Sequence, residues 1–116
     1  MKTKHYLITG GTGFIGSAIT KSLLQQGQRV TVFDDNSRNI ERENNILKKK
    51  FKQNILFIKG DIRNKSQVKK AIDGKDAVIH LAYINGTKSF YLIPEIILEV
   101  AVKGIINVLD SCKEKK

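Results

Sequence analysis

The sequence contains little of several residue types that define whole classes of proteins. Its single cysteine, Cys112, excludes an intramolecular disulfide and any metal site built from several cysteines, and it favours a reducing, cytoplasmic setting. No apolar run reaches the roughly 18 residues of a membrane-spanning helix, and polar residues and glycines interrupt the apolar stretch near the N-terminus. We therefore expect neither a membrane span nor a cleaved signal peptide.

Arginine is also scarce, with four residues against 17 lysines in a chain of net charge +10. Bidentate recognition of phosphates and bases favours arginine, so an excess of lysine is weak evidence for nucleic-acid binding. The densest basic run is at residues 48–50, between Leu47 and Phe51 at helical spacing, and we interpret it as the solvated face of a helix. No recognition-helix, zinc-finger or aromatic RNA-binding signature accompanies this run, so we predict no nucleic-acid partner.

The length of 116 residues and the hydrophobic content of 41% fit one globular domain. Short apolar runs alternate along the chain with segments of helical periodicity. This alternation predicts βαβ units on a parallel sheet, and near-continuous apolar strands are typical of a sheet covered by helices on both faces. The predicted strands are residues 5–9, 29–33, 54–59 and 77–81, and the predicted helices are residues 14–26, 39–52, 65–73 and 94–112.

A glycine-rich loop separates the first predicted strand from the first predicted helix. Residues 10–16, Gly-Gly-Thr-Gly-Phe-Ile-Gly, fit both GxGxxG and the looser GxxGxxG. Glycines here permit a tight turn, a close approach of the backbone to a pyrophosphate and close packing of the helix on the strand. An ordinary glycine turn is the alternative, but the position between a strand and a helix favours a dinucleotide site.

Carboxylates follow the second and third predicted strands. Asp34 lies 21 residues after Gly13, where it can accept hydrogen bonds from ribose hydroxyls and repel a 2′-phosphate. Asp61 with Ile62 follows the third strand, where a carboxylate and an apolar side chain can hold the edge and face of adenine. The alternatives are a surface turn residue for Asp34 and a helix cap for Asp61. Three such features at the ends of successive strands favour a ligand site, because parallel sheets bind ligands there.

These motifs together resemble the extended short-chain dehydrogenase/reductase family, and within it the nucleotide-sugar epimerases and dehydratases. The motifs are TGGTGFIG at 9–16, FDDNSR at 33–38, GDIR at 60–63 and HLAY at 80–83. The resemblance runs essentially the full length of the chain but covers only the first part of a family member. It implies a truncated, doubly wound Rossmann fold of three αβα layers with strand order 3-2-1-4. It also implies an NAD(P) cofactor. The Asp34 carboxylate favours NAD over NADP, although Arg38 is the counter-argument because a nearby arginine can accept a 2′-phosphate.

The same resemblance implies which residues hold each part of the cofactor. It assigns the pyrophosphate to Gly10, Gly13, Phe14, Ile15 and Gly16, the adenosine ribose to Asp34, Asp35 and Asn36, adenine to Asp61 and Ile62, and the nicotinamide ribose to Leu81, Ala82 and Tyr83. No catalytic residue and no metal ligand is among them.

The sequence departs from the family pattern at positions that matter for chemistry. Tyr83 stands where the family commonly has alanine, and Ala101 stands where it commonly has asparagine. The family's Tyr-x-x-x-Lys pair, in which lysine lowers the pKa of the phenol, is absent. The residues four after the three tyrosines are Gly10, Thr87 and Glu95. We therefore expect the chain to bind a dinucleotide without catalysing a reaction alone.

Two further possibilities follow from this absence and from the last predicted helix. One is a dinucleotide-sensing module without catalysis, similar to NmrA-like regulators. The other is an interaction protein that associates through residues 94–112, because apolar residues occur on nearly every side of that helix and its own sheet can cover only one side. We predict a homodimer built on this helix.

Overall fold

A computed structural model describes residues 2–35, 41–82 and 91–115 of the chain. In these residues the strands are β1 (His5–Thr9), β2 (Arg29–Asp34), β3 (Ile55–Lys59) and β4 (Ala77–His80), and the helices are α1 (Phe14–Gln25), α2 (Glu41–Phe51), α3 (Lys65–Ile72) and α4 (Pro94–Lys115). A 3₁₀ turn at Lys52–Asn54 precedes β3. All strand pairs are parallel and the order is β3-β2-β1-β4, so the predicted sheet and its strand order are confirmed.

Helices cover both faces of the sheet, which explains why the strands are apolar at successive positions. Leu7 and Ile8, adjacent on β1, are both fully buried and belong to different clusters. Leu7 packs with residues of α3 and α4, whereas Ile8 packs with residues of α1 and α2. Side chains alternate between the faces of a strand, so these two clusters are the two interfaces of a three-layer αβα structure.

The carboxyl ends of all four strands lie along one edge of the sheet. Thr9 at the end of β1 is aligned with Phe33 of β2 and with His80 of β4. Asp34 is aligned with Lys59 at the end of β3. The loops that follow these strands are therefore neighbours in space, although the chain separates them by some twenty residues each (about the length of one βα unit).

With one exception, the predicted element ends that fall within the described residues coincide with the observed ones or differ from them by one residue. The exception is α4, which continues to Lys115, so the predicted end at Cys112 is wrong. The Glu114 carboxylate lies 3.2 Å from the Lys69 ammonium of α3. This ion pair gives the last turn of α4 a partner on the neighbouring helix, which a sequence pattern based on apolar residues does not reveal.

The lysine run lies on the outer face of α2, as predicted. Lys48, Lys49 and Lys50 are exposed, whereas the adjacent Leu47 is buried in the cluster beneath α1 and α2. The Lys48 ammonium lies 5.4 Å from the centre of the Phe57 ring. The run therefore belongs to an ordinary amphipathic helix.

Helix α4 has one apolar face in the core and another that is exposed. Ile97, Val100 and Val108 are buried, whereas Leu98 and Leu109 are 64% and 60% exposed. The prediction that apolar residues occur on nearly every side of this helix is confirmed. No helix in the described part of the chain has both the length and the apolar character needed to cross a membrane.

Candidate cofactor-binding site

A cleft of about 470 Å³ lies at the carboxyl edge of the sheet. It brings together every predicted site residue that the structure describes: Gly10, Gly13, Phe14, Ile15, Gly16, Asp34, Asp35, Asp61, Ile62, Leu81 and Ala82. The two other predicted site residues, Asn36 and Tyr83, lie outside the described residues. The cleft also includes residues to which the sequence assigned no part of the cofactor: Thr12, Phe33, Gly60, Arg63, Ile96 and Val100.

The glycine-rich loop is shaped by packing at its two ends. Gly10 has a φ of +70°, and a Cβ at this position would lie 2.8 Å from the backbone nitrogen of Ala82. A Cβ on Gly16 would overlap the carbonyl oxygen of Gly10. Glycine is therefore required at both positions by the protein itself.

Gly13 lies between Gly10 and Gly16 in the loop, but neither its backbone conformation nor its neighbouring atoms require a glycine. Its φ is −74° and its ψ is 179°, a conformation open to any residue. The nearest atom to a Cβ on Gly13 would be the carbonyl oxygen of Gly10 at 3.4 Å, an ordinary contact. Nothing in the described structure requires glycine here, although the residue lines the cleft.

Gly13 is also the N-cap of α1, and no side chain caps this helix end. The first N–H groups of an α-helix have no partner within the helix, and the first turn of α1 contains no acidic residue. Together with the helix dipole, these N–H groups make the helix end suited to an anion such as a pyrophosphate. Phe14 and Ile15 of this turn are exposed at the rim of the cleft.

Asp34 is connected to the glycine-rich loop through Thr12. The Thr12 hydroxyl donates to Asp34 Oδ2 at 2.6 Å, and the Thr12 backbone N–H donates to the same oxygen at 3.3 Å. Thr12 is buried, so this contact is shielded from water. Asp34 is therefore more than a residue of a surface turn. Thr12 lies within the TGGTGFIG motif, but the motif assigned no role to it, because its partner Asp34 is brought close by the pairing of β1 with β2.

Asp61 is held by Arg63 and does not cap α3. Arg63 Nη2 donates to Asp61 Oδ2 at 2.8 Å, and Arg63 Nε lies 3.1 and 3.2 Å from the two carboxylate oxygens. The hydrogen bonds from Arg63 are the main reason that the pKa of the Asp61 carboxyl lies below its usual value. The N-cap of α3 is Asn64, whose side chain accepts from the Gln67 N–H, so the alternative of a helix cap at Asp61 is excluded.

Ile62 is anchored from α4. Its side chain is buried, and the Asn107 side-chain amide donates to its carbonyl oxygen at 3.0 Å. A Cβ on Gly104 would lie 3.0 Å from Ile62 Cγ2, so the absence of a side chain at Gly104 lets α4 approach this segment closely. The sequence did not assign Asn107 a function, and its apolar surroundings in α4 would have been the available signal.

The part of the cleft formed by the segment after β4 is held in place by the Thr9 hydroxyl. Thr9 Oγ1 accepts hydrogen bonds from the backbone N–H groups of Leu81 and Ala82 at 3.0 and 3.2 Å. The hydroxyl also lies 2.6 Å from His80 Nδ1, a contact that suits the neutral tautomer with its proton on Nε2, in which the hydroxyl donates to Nδ1. Burial lowers the pKa of His80, which also favours the neutral ring.

The described residues contain no group of three or more His, Cys, Asp or Glu side chains that could hold a metal ion. The cleft therefore offers backbone N–H groups, two anchored carboxylates and apolar walls. This combination suits an anionic ligand that has hydroxyl groups and a flat apolar ring.

Comparisons with known proteins agree with this geometry. The model of the 3-beta hydroxysteroid dehydrogenase/isomerase family matches residues 7–116. The chain is 34% identical to tetraketide alpha-pyrone reductase 2 from Arabidopsis thaliana over 113 residues, which are 97% of this chain and 35% of that protein.

Comparison with solved structures also finds proteins of this kind. A UDP-glucose 4-epimerase from Thermus thermophilus, in complex with NAD, is 32% identical with a TM-score of 0.79, over 96% of this chain and 34% of that one. A dTDP-glucose 4,6-dehydratase from Streptomyces venezuelae, also with NAD bound, is 26% identical with a TM-score of 0.83, over 96% and 36%. The chain thus spans about a third of the length of these relatives. Sequence motifs, strand order and comparisons agree, and the chain belongs to the 3-beta hydroxysteroid dehydrogenase/isomerase family of the short-chain dehydrogenase/reductase superfamily.

Proposed function

We propose that this chain is the NAD-binding part of an enzyme of the NAD-dependent epimerase/dehydratase type that acts on nucleotide sugars. The observation that carries the proposal is Gly13, which lacks a side chain although the protein has room for one. Bound NAD supplies hydride transfer; the residues of this chain bind and orient it. The NAD in the related epimerase and dehydratase structures supports this choice of cofactor.

No contact within the protein accounts for the glycine at position 13. A glycine costs conformational entropy on folding, and Ser, Asp or Asn caps a helix better than glycine does, so glycine at this N-cap needs another reason. A ligand that contacts the loop backbone supplies one, because any Cβ would occupy its place. The uncapped N–H groups of α1 lie directly beside Gly13, so the ligand group expected there is a phosphate.

The test is calorimetric titration of the chain and of Gly13→Val with NAD and with NADP. We expect the unchanged chain to bind NAD more tightly than NADP, because a 2′-phosphate would approach the Asp34 carboxylate. Gly13→Val should lose binding while keeping its melting temperature close to that of the unchanged chain. Binding of NAD by Gly13→Val with unaltered affinity, or no binding by the unchanged chain, contradicts the proposal.

We infer that the chain alone does not turn over a substrate. None of its three tyrosines is followed by a lysine at the fourth position, and general acid–base catalysis typically contributes about 10²–10⁴-fold to a rate. This absence also favours a second candidate function, a dinucleotide-sensing module without catalysis. An assay of the chain alone with NAD and a panel of nucleotide sugars tests both statements, because turnover contradicts the inferred inactivity and excludes a module without catalysis. A cytoplasmic location, favoured by the single cysteine, stays a prediction.

We also propose that the exposed face of α4 binds a second copy of this chain. Leu98, Val102, Ile105 and Leu109 are exposed and follow one another at helical spacings of three and four. An adjacent stripe contains Glu99, Lys103, Asp110 and Lys113.

The order of these charges is suited to a twofold pair. In an antiparallel pairing of two α4 helices centred near Ile106, Lys103 faces Asp110 of the second copy and Glu99 faces its Lys113. Light scattering after size exclusion should give the mass of a dimer, and Val102→Glu should give the mass of a monomer. A monomer of the unchanged chain at all concentrations contradicts this pairing.

A further inference from the structure

A row of charged side chains connects α4 with the adenine end of the cleft. Glu99 Oε2 lies 3.5 Å from Arg63 Nη1 and 3.8 Å from the Lys103 ammonium. Arg63 in turn holds the Asp61 carboxylate through Nε and Nη2, and its backbone N–H donates to Asp61 Oδ1 at 2.9 Å. The row therefore begins on a long helix and ends at Asp61, a residue that lines the cleft.

Exposed ion pairs usually contribute little to stability, and the side chains of Arg63 and Asp61 are 34% and 45% exposed. The contacts between Arg63 and Asp61 matter here because they fix the orientation of the Asp61 carboxylate. A planar guanidinium that contacts both carboxylate oxygens, together with a backbone N–H on one of them, allows one orientation of the carboxylate. The pair is therefore better suited to recognising a ligand than to stabilising the fold.

The backbone around Asp61 is already held by other contacts. The Asp61 N–H donates to Gln67 Oε1 at 2.8 Å, and the carbonyl of the next residue accepts from Asn107 at 3.0 Å. What these contacts leave undetermined is the direction of the Asp61 side chain. Arg63 supplies that direction, and Glu99 restricts Arg63.

We propose that Arg63, restrained by Glu99, is a positioning residue that directs the Asp61 carboxylate to accept the 6-amino group of adenine. This inference rests on the proposed binding of NAD. An ionised carboxylate only accepts hydrogen bonds, so it favours a base with an amino group at this position over one with a carbonyl oxygen. The lowered pKa of Asp61 keeps the carboxylate ionised at neutral pH.

The experiment compares the affinities of NAD and nicotinamide hypoxanthine dinucleotide, which has a 6-oxo group in place of the 6-amino group. Calorimetry of the unchanged chain should show a preference for NAD of about tenfold, as expected for one hydrogen bond to a charged group. Arg63→Met should reduce this preference to about twofold or less, because the backbone N–H of residue 63 then holds only Oδ1 and no longer fixes the plane of the carboxylate. Arg63→Lys and Glu99→Gln should give intermediate preferences.

Lys69→Met is the matched control. It removes a comparable exposed ion pair between α3 and α4, at 3.2 Å from Glu114, that does not line the cleft. This variant should keep the full preference for NAD.

Several results would overturn the inference. If Arg63→Met weakens both dinucleotides equally, or increases the preference for NAD, Arg63 does not position Asp61 for adenine. If the unchanged chain binds both dinucleotides equally, the inference is wrong while the proposed function stands. If it binds neither, both are wrong. Should Arg63→Met fail to fold, the ratio measured for Glu99→Gln decides in its place.

Discussion

The two halves of the cleft are built from different kinds of groups. In the half assigned to adenosine, two carboxylates are each held by a neighbouring side chain, Asp34 by Thr12 and Asp61 by Arg63. In the half assigned to nicotinamide, the described residues Leu81 and Ala82 contribute apolar side chains, and their backbone N–H groups donate to the carbonyl and hydroxyl oxygens of Thr9.

The groups that can recognise a ligand therefore lie in the adenosine half, and the half where a reaction would occur contains different groups. Oriented carboxylates can select among ribose and base substituents, whereas a reaction at the nicotinamide end needs a group that moves a proton. The described residues of that half provide no such group beyond His80, whose Nδ1 is occupied. The comparison explains why the chain is suited to binding a dinucleotide and why we expect no turnover from it alone.

The largest expected effect is at the residue that joins the two halves. Gly10→Ala places a methyl group 2.8 Å from the Ala82 backbone nitrogen and forces an L-residue to a φ of +70°. We expect the free energy of unfolding, measured in urea, to fall by more than about 2 kcal/mol. Dinucleotide binding should weaken as well, because the loop and the segment after β4 move apart.

Gly74→Ala is the control for backbone strain. Gly74 has a φ of +75°, but a Cβ there would meet nothing within 4 Å. It should therefore lose only the cost of the backbone conformation, about 1–2 kcal/mol. Equal losses for the two variants would mean that contact between the halves of the cleft contributes nothing.

A smaller effect, confined to the adenosine half, is expected at Thr12. Thr12→Val keeps the shape of the side chain but removes the hydroxyl that donates to Asp34 at 2.6 Å. We expect NAD binding to weaken about five- to tenfold, as for the loss of one hydrogen bond to a charged group, and the preference for NAD over NADP to decrease. Thr12→Ser, which keeps the hydroxyl, should retain both. Loss of affinity without loss of preference would show that Thr12 supports the loop rather than Asp34.

The sequence predicted the fold and the residues that line the cleft better than it predicted the contacts among those residues. Apolar periodicity and the glycine-rich loop predicted a parallel sheet with the correct positions of all four strands, because both signals are local. Thr12, Arg63 and Asn107 were missed as supporting residues. Each acts on a partner brought close by strand pairing or helix packing, and no local pattern encodes such a partner.

The end of α4 shows the same limit at the level of secondary structure. Its last turn consists mainly of charged residues, and local periodicity assigns it to solvent. In the fold, Glu114 pairs with Lys69, 45 residues earlier in the chain. The pattern of residues within one helix does not predict an ion pair with a residue that is distant in the sequence.

The smallest expected effect belongs to the nicotinamide half and is a dependence on pH. Burial lowers the pKa of His80 in the folded chain, so below the ordinary value of about 6.5 the unfolded chain binds more protons than the folded one. The free energy of unfolding should therefore be fully maintained above that pH and decrease as the pH falls towards 5. Burial lowers the pKa of His5 too, so both histidines contribute in the same direction.

The two contributions can be separated by substitution. His80→Asn removes the titration but keeps an acceptor oxygen near the position of Nδ1, where the Thr9 hydroxyl donates at 2.6 Å. This variant should show a shallower decrease in unfolding free energy between pH 7 and 5, and His5→Asn should remove the remaining part. Dinucleotide affinity over the same range should fall in the unchanged chain but not in His80→Asn, because a protonated Nδ1 cannot accept from Thr9 and the segment of Leu81 and Ala82 loses its support. If His80→Asn leaves the pH dependence of both stability and affinity unaltered, His80 plays no part in holding the nicotinamide half.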